Sequence, residues 1–147
     1  MSDLNELYQS LIIDHSRHPK NFGMMEQATA EQRGYNPVCG DELTVYLKEK
    51  NDIVEAIQFQ GHGCAISIAS ASLMTETVKG KTKTETLHLF KTMHDLLTGQ
   101  PVNEALVGKC LALQGVSHYP MRVKCASLAW HTLKAALQHQ PETVSTE

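Results

Sequence analysis

Aromatic residues are scarce, at 5% of 147 positions, so any core must be built from aliphatic side chains. There is no excess of positive charge. Lys and Arg number 13 against 16 Asp and Glu, for a net charge of −3. That argues against a nucleic-acid binder, which usually shows a basic face, and leaves room only for a local basic patch. No apolar run approaches the ~18 residues of a membrane span. Met1 to His18 lacks a basic region followed by an apolar one, so no signal peptide is expected and a cytoplasmic location is the default. Two nucleotide motifs are also missing. Gly80-Lys81-Thr82 has Thr75 where a phosphate-binding loop needs its first glycine, and Gly61-x-Gly63 is followed by Ile66 where a dinucleotide fingerprint needs its third. No repeat and no linker interrupts the chain, so residues 1–147 are expected to form one domain. At that size ~68–70% of the unfolded surface is buried without disulfide staples.

What is present changes period along the chain. Leu4, Leu7, Leu11 and Ile12 mark one face of a first helix, which Ser2 or Asp3 can cap and Pro19 ends. Asn21-Phe22-Gly23 reads as a turn. Met25 to Tyr35 is polar and weakly patterned, with room for a short edge strand. Leu43, Val45 and Leu47 alternate with polar residues, and Ile53, Ile57 and Phe59 do so again after a turn at Lys50-Asn51-Asp52, which predicts an antiparallel hairpin. Ala65 to Val78 is a helix dense in small residues. Lys83 to Thr98 is another, with Leu87, Phe90, Met93, Leu96 and Leu97 on one side. Asn103 caps a short helix. The last helix runs from Tyr119-Pro120 to Gln138, and Pro141 to Glu147 reads as a frayed tail. The expected fold is α+β: a small antiparallel sheet of two to three strands, covered on one face by helices.

The four cysteines, Cys39, Cys64, Cys110 and Cys125, include no C-x₂-C pair, so the common zinc-ribbon and redox signatures are absent. Their placement says more than their spacing. Cys39 and Asp41 are two apart in a segment that Pro37 biases toward extended backbone, where i and i+2 point the same way. Cys64 starts a helix at the far end of the hairpin, and two strands of similar length bring it back beside Cys39. Cys125 lies in the first turns of the last helix. Cys39, Asp41, Cys64 and Cys125 would form an S₃O site suited to Zn²⁺ or iron; the alternative is a set of ordinary buried cysteines. Helix N-termini favour thiolates at Cys64 and at Cys125. Cys110, beside Leu111-Ala112-Leu113, reads as a buried structural thiol. His62 and His118 lie near the site without being read as ligands. The other histidines (His15, His18, His88, His94, His131 and His139) are expected at the surface or its boundary.

The stretches Asn36-Pro37-Val38-Cys39-Gly40-Asp41, Gly63-Cys64-Ala65-Ile66-Ser67-Ile68-Ala69-Ser70-Ala71-Ser72 and Lys124-Cys125-Ala126-Ser127-Leu128-Ala129-Trp130, in that order, resemble the IscU/SufU (NifU-like N-terminal) family of iron–sulfur cluster assembly proteins. The resemblance runs from Leu7 to Leu137. Lys124 stands where the IscU type has histidine. Ser117 to Val123 lacks that type's Leu-Pro-Pro-Val-Lys segment, and the interval from Cys64 to Cys125 is longer. These departures match the SufU-type branch. The resemblance implies a zinc-dependent sulfurtransferase with Zn²⁺ on Cys39, Asp41, Cys64 and Cys125. It implies a pyridoxal-phosphate cysteine desulfurase as donor, Cys39 as acceptor, Arg122 as a basic residue near the site, and a downstream scaffold or apo acceptor. Two alternatives are a scaffold that assembles a 2Fe-2S cluster on the same ligands and a structural zinc module that docks a partner. Neither nucleic acid nor membrane is an expected partner.

Overall fold

A computed structural model describes residues 3–140 and 142–146, with the side chains of Asp3 and Leu4 outside it. Ser2, one of the two expected caps, therefore lies outside the described residues. The elements in order are α1 (Asp3–Arg17), β1 (Ala30–Asn36), β2 (Asp41–Lys50), β3 (Ile53–His62), α2 (Ala65–Val78), α3 (Lys83–Leu97), α4 (Glu104–Val107), a 3₁₀ segment (Gly108–His118), α5 (Pro120–Leu137) and β4 (Val144–Ser145).

The β2–β3 hairpin sets the geometry. Asn51 and Asp52 both take positive φ, +55° and +61°, as a two-residue turn that matches strand twist requires. The resulting register pairs Lys50 with Ile53 and Glu42 with His62. The start of β2 and the end of β3 are thereby brought side by side. Leu43, Val45, Leu47, Ile57 and Phe59 are buried on one face, where α5 packs on β1 and β2 and α2 packs on β3. Helix α2 is small-residue dense because it is enclosed: Ser67, Ala69, Ser70, Ala71 and Ser72 are all buried. Most buried hydroxyls find partners, and Ser70 Oγ donates to the Ala126 carbonyl of α5 at 2.6 Å. Thr82 and Glu85 form a capping box at the start of α3, and Asn103 caps α4 through the Ala105 N–H, 3.1 Å.

The sheet has four strands in the order β3-β2-β1-β4, not two to three. It is mixed, because β4 runs parallel to β1. Strand β1 was obscured because its inward residues are Gln32, Gly34 and Asn36, which carry no apolar alternation. Gly34 is required there: a Cβ would sit 2.0 Å from Thr132 Oγ1 of α5, so only glycine lets the helix lie this close. The tail is likewise not simply frayed. Val144 and Ser145 pair with Gly34 and Tyr35, and Gln32 Nε2 donates to the Glu142 carbonyl. Pro141 and Glu147 lie outside the described residues.

On α1, Leu11 and Ile12 pack against the core, whereas Leu7 is 62% exposed. The expectation for His15 is overturned: it is 2% exposed. Its Nδ1 lies 2.6 Å from Ser72 Oγ and its Nε2 lies 3.6 Å from Glu76. Burial lowers its pKa, with Glu76 pulling the other way. Among the described residues no helix is long and apolar enough to cross a membrane.

Candidate metal and thiol site

The site forms where the β2–β3 hairpin opens onto the first turns of α2 and α5. Asp41, the first residue of β2, is fully buried. Its Oδ1 accepts the Cys64 N–H at 2.8 Å. That bond needs Gly63, since a Cβ there would fall 2.5 Å from Asp41 Oδ1. Cys64 is the N-cap of α2, and its Sγ accepts the Ser67 N–H at 3.4 Å. A thiol at that position faces the positive end of the helix. The Ser67 hydroxyl is itself buried without a hydrogen-bond partner.

Cys39 is exposed in the loop between β1 and β2. Its Sγ lies 3.3 Å from that of Cys125, which is 3% exposed on α5. Ligand atoms of Cys39, Asp41 and Cys125 all fall within 4.8 Å of one another. Cys64 is not part of that convergence, but its thiol neighbours Cys125. Two thiols and a carboxylate therefore meet, with a third thiol adjacent. The soft-sulfur and single-carboxylate donor set fits Zn²⁺ or iron.

Cys125 corrects one expectation. Pro120 is the first residue of α5, so Cys125 sits beyond the first turn, where the helix dipole fades. Burial raises its pKa far above the usual thiol range, helped by the Cys39, Cys64 and Asp41 side chains. Arg122 is one turn earlier, with its guanidinium 4.6 Å above the Tyr119 ring. It also lines a cleft of about 830 Å³ with Tyr8, Ile66 and His118. His118 packs edge-on to Tyr119 at 6.5 Å. His62 Nε2 faces Glu42 at 3.7 Å, at the surface. Cys110 is fully buried against Thr77 Oγ1, 3.3 Å, and burial pushes its pKa up to about 12. This is the structural thiol that its neighbours implied.

One residue of the site went unremarked in the sequence. Asn36, fully buried, places its Nδ2 3.3 Å from Asp41 Oδ2 and 3.7 Å from Cys125 Sγ. The signal available was its place at the head of the stretch Asn36 to Asp41.

The NifU-like N-terminal domain family matches residues 7–145. The chain belongs to this family. Within it, the chain is 40% identical over 134 residues to a protein of Bacillus subtilis named zinc-dependent sulfurtransferase SufU, covering 90% of each. It is 41% identical over 140 residues to a Streptococcus pyogenes protein named iron–sulfur cluster assembly scaffold protein IscU, covering 94% of this chain and 87% of the relative. Among solved structures, the SUF-system protein FiSufU of Fervidobacterium islandicum superposes with a TM-score of 0.85 at 40% identity, over 90% of this chain and 98% of that one. The fold of the family is thus the fold of this chain.

Proposed function

We propose that the chain is a zinc-dependent sulfurtransferase of iron–sulfur cluster assembly that accepts sulfane sulfur on Cys39. The donor is a persulfide on a pyridoxal-phosphate cysteine desulfurase, and the recipient is an iron–sulfur scaffold or an apo acceptor. The observation that carries this reading is the asymmetry of the site. An exposed loop thiol lies 3.3 Å from a buried helical one, beside a buried carboxylate. Cys39, Asp41, Cys64 and Cys125 would hold Zn²⁺, which when bound keeps thiols deprotonated without redox chemistry of its own.

The chain's own residues divide the work. Cys64 and Cys125 are fixed by α2 and α5, and Asp41 is oriented by the Cys64 N–H. Cys39, on its loop, reaches outward. Its thiolate attacks the outer sulfur of the donor's R–S–SH. A new S–S bond forms on Cys39, the donor's S–S bond breaks, and the donor departs as R–S⁻. The proton stays on the transferred sulfur, and no external oxidant or reductant is needed. Arg122, one helical turn before Cys125 on α5, offers a cation for contact with the donor protein.

The second reading is a scaffold that holds iron or a 2Fe-2S cluster on the same four residues. The S. pyogenes relative's name favours it; Lys124 beside Cys125, in place of another ligand, counts against it. The test is to purify the chain, measure its metal, and assay a cysteine desulfurase with cysteine as substrate. Stoichiometric zinc with desulfurase stimulation lost in Cys39→Ala is the expected result. Stimulation that survives Cys39→Ala removes Cys39 as carrier. A coloured cluster that transfers intact to an apo acceptor supports the scaffold reading.

A further inference from the structure

Asn36 occupies a position that no ligand assignment explains. It ends β1 opposite Asp41 in the strand register and is fully buried. All three arms of the residue are engaged. Oδ1 accepts the Val38 N–H at 3.3 Å, the backbone carbonyl accepts the Gly40 N–H at 2.8 Å, and Nδ2 faces both Asp41 Oδ2 and Cys125 Sγ. The first two contacts close the loop on either side of Cys39. The third reaches the two groups that do not move with it. With Oδ1 turned to an N–H and Nδ2 to a carboxylate, the amide has only one orientation that satisfies both sides.

We propose that Asn36 is a positioning residue whose side chain latches the Cys39 loop to the Asp41–Cys125 anchor, and that Cys39 swings outward when the bond from Val38 N–H to Asn36 Oδ1 opens. The residue type follows from this task. Aspartate has the acceptor but no donor, leucine has the shape but neither, and glutamine is one methylene too long for a turn between residues 36 and 38. The latch gives the loop two discrete positions rather than a continuous drift. It holds Cys39 beside Cys125 at rest and releases it as a unit. This inference rests on the reading of Cys39 as the mobile sulfur acceptor, but the latch itself can be measured without any sulfur transfer.

The experiment is amide hydrogen exchange by NMR on the full chain, with and without added Zn²⁺. In the wild-type protein the Asn36 side-chain protons are expected to exchange at least about tenfold more slowly than those of exposed Asn51 at the hairpin turn. In Asn36→Leu the Val38 N–H should exchange roughly three- to tenfold faster, as loss of one hydrogen bond allows. In Asn36→Asp, which keeps the acceptor, Val38 should remain near its wild-type rate. Both variants should surrender Zn²⁺ to a competing chelator faster than wild type. Asn36 protons that exchange as fast as those of Asn51, or a Val38 rate unchanged in Asn36→Leu, overturn the latch. So does an equal rise of the Val38 exchange rate in both variants, which is what a merely structural asparagine would show. If neither variant folds, the wild-type side-chain rates decide. If the exchange pattern holds but sulfur never reaches Cys39, the acceptor reading fails and the latch stands.

Discussion

The loop carrying Cys39 and the helix carrying Cys125 meet within 3.3 Å, yet they are opposite kinds of structure. The loop is four residues between two strands, with an exposed thiol and local turn bonds. The helix is eighteen residues long and buries Cys125, Ala126, Leu128, Ala129 and Trp130. Moving Cys125 would disrupt packing along α5, whereas moving Cys39 breaks a few hydrogen bonds worth about 1 kcal/mol each. A site that must hold one thiol and release another gains from placing them on elements of such different stiffness.

The sharpest way to break this comparison is to exchange the consequences of losing each thiol. Cys39→Ala should abolish sulfur acceptance while shifting the unfolding free energy of chelator-treated protein by less than about 0.5 kcal/mol. Cys125→Ala should cost about 1–2 kcal/mol under the same conditions, because it empties a packed position. Equal stability losses, measured by urea denaturation, would show that the two sites are not mechanically distinct.

A more local effect is expected at Gly63. Gly63→Ala places a methyl 2.5 Å from Asp41 Oδ1 and should cost about 1–3 kcal/mol through overpacking. It should weaken zinc retention and leave α5 intact by amide exchange. Gly34→Ala is the converse, since its Cβ meets Thr132 on α5; it should loosen the helix while leaving the Cys64–Asp41 contact in place.

Two of the buried titrating groups outside the site give pH tests of the same scaffold. Cys110 is raised from 9.0 to about 12 by burial. The folded state therefore keeps its proton where the unfolded state loses it. The Cys110 contribution is intact below pH 9 and falls away between 9 and 12, by on the order of 4 kcal/mol. Cys110→Ala should flatten that alkaline slope in denaturation curves. His15 is lowered below 6.5 by desolvation, so its contribution is present above 6.5 and is lost as pH falls through its folded value. His15→Gln should remove that acid slope without altering sulfur acceptance at neutral pH.

Much of this scaffold was legible in the sequence because it is written in periodicity. The hairpin, α3 and α5 show apolar residues at the spacing their geometry demands, and α2 shows itself by its run of small residues. The meeting of Asp41 with Cys64 followed from two strands of similar length. Strand β1 was legible only as room for a short edge strand between Met25 and Tyr35, and it is an inner strand between β2 and β4; Gln32, Gly34 and Asn36 face inward with no apolar signal, and the space at Gly34 is filled by α5. Strand β4 is two residues long, and a parallel pairing at the chain's end has no local pattern. His15 looked like a surface histidine because its partners, Ser72 and Glu76, are about sixty residues away. Asn36 belonged to a recognisable stretch, but its contacts with Asp41 and Cys125 exist only in three dimensions.

The central claim is that sulfur arrives on the loop thiol and not on the anchors. The direct measurement is to incubate the zinc-loaded chain with a persulfide-bearing cysteine desulfurase, quench with an alkylating agent, and locate the added sulfur by peptide mass spectrometry. One extra sulfur atom on the peptide containing Cys39, with Cys64, Cys110 and Cys125 unmodified, is the expected result. Sulfur first appearing on Cys64 or Cys125, with Cys39 left as a plain thiol, would contradict it.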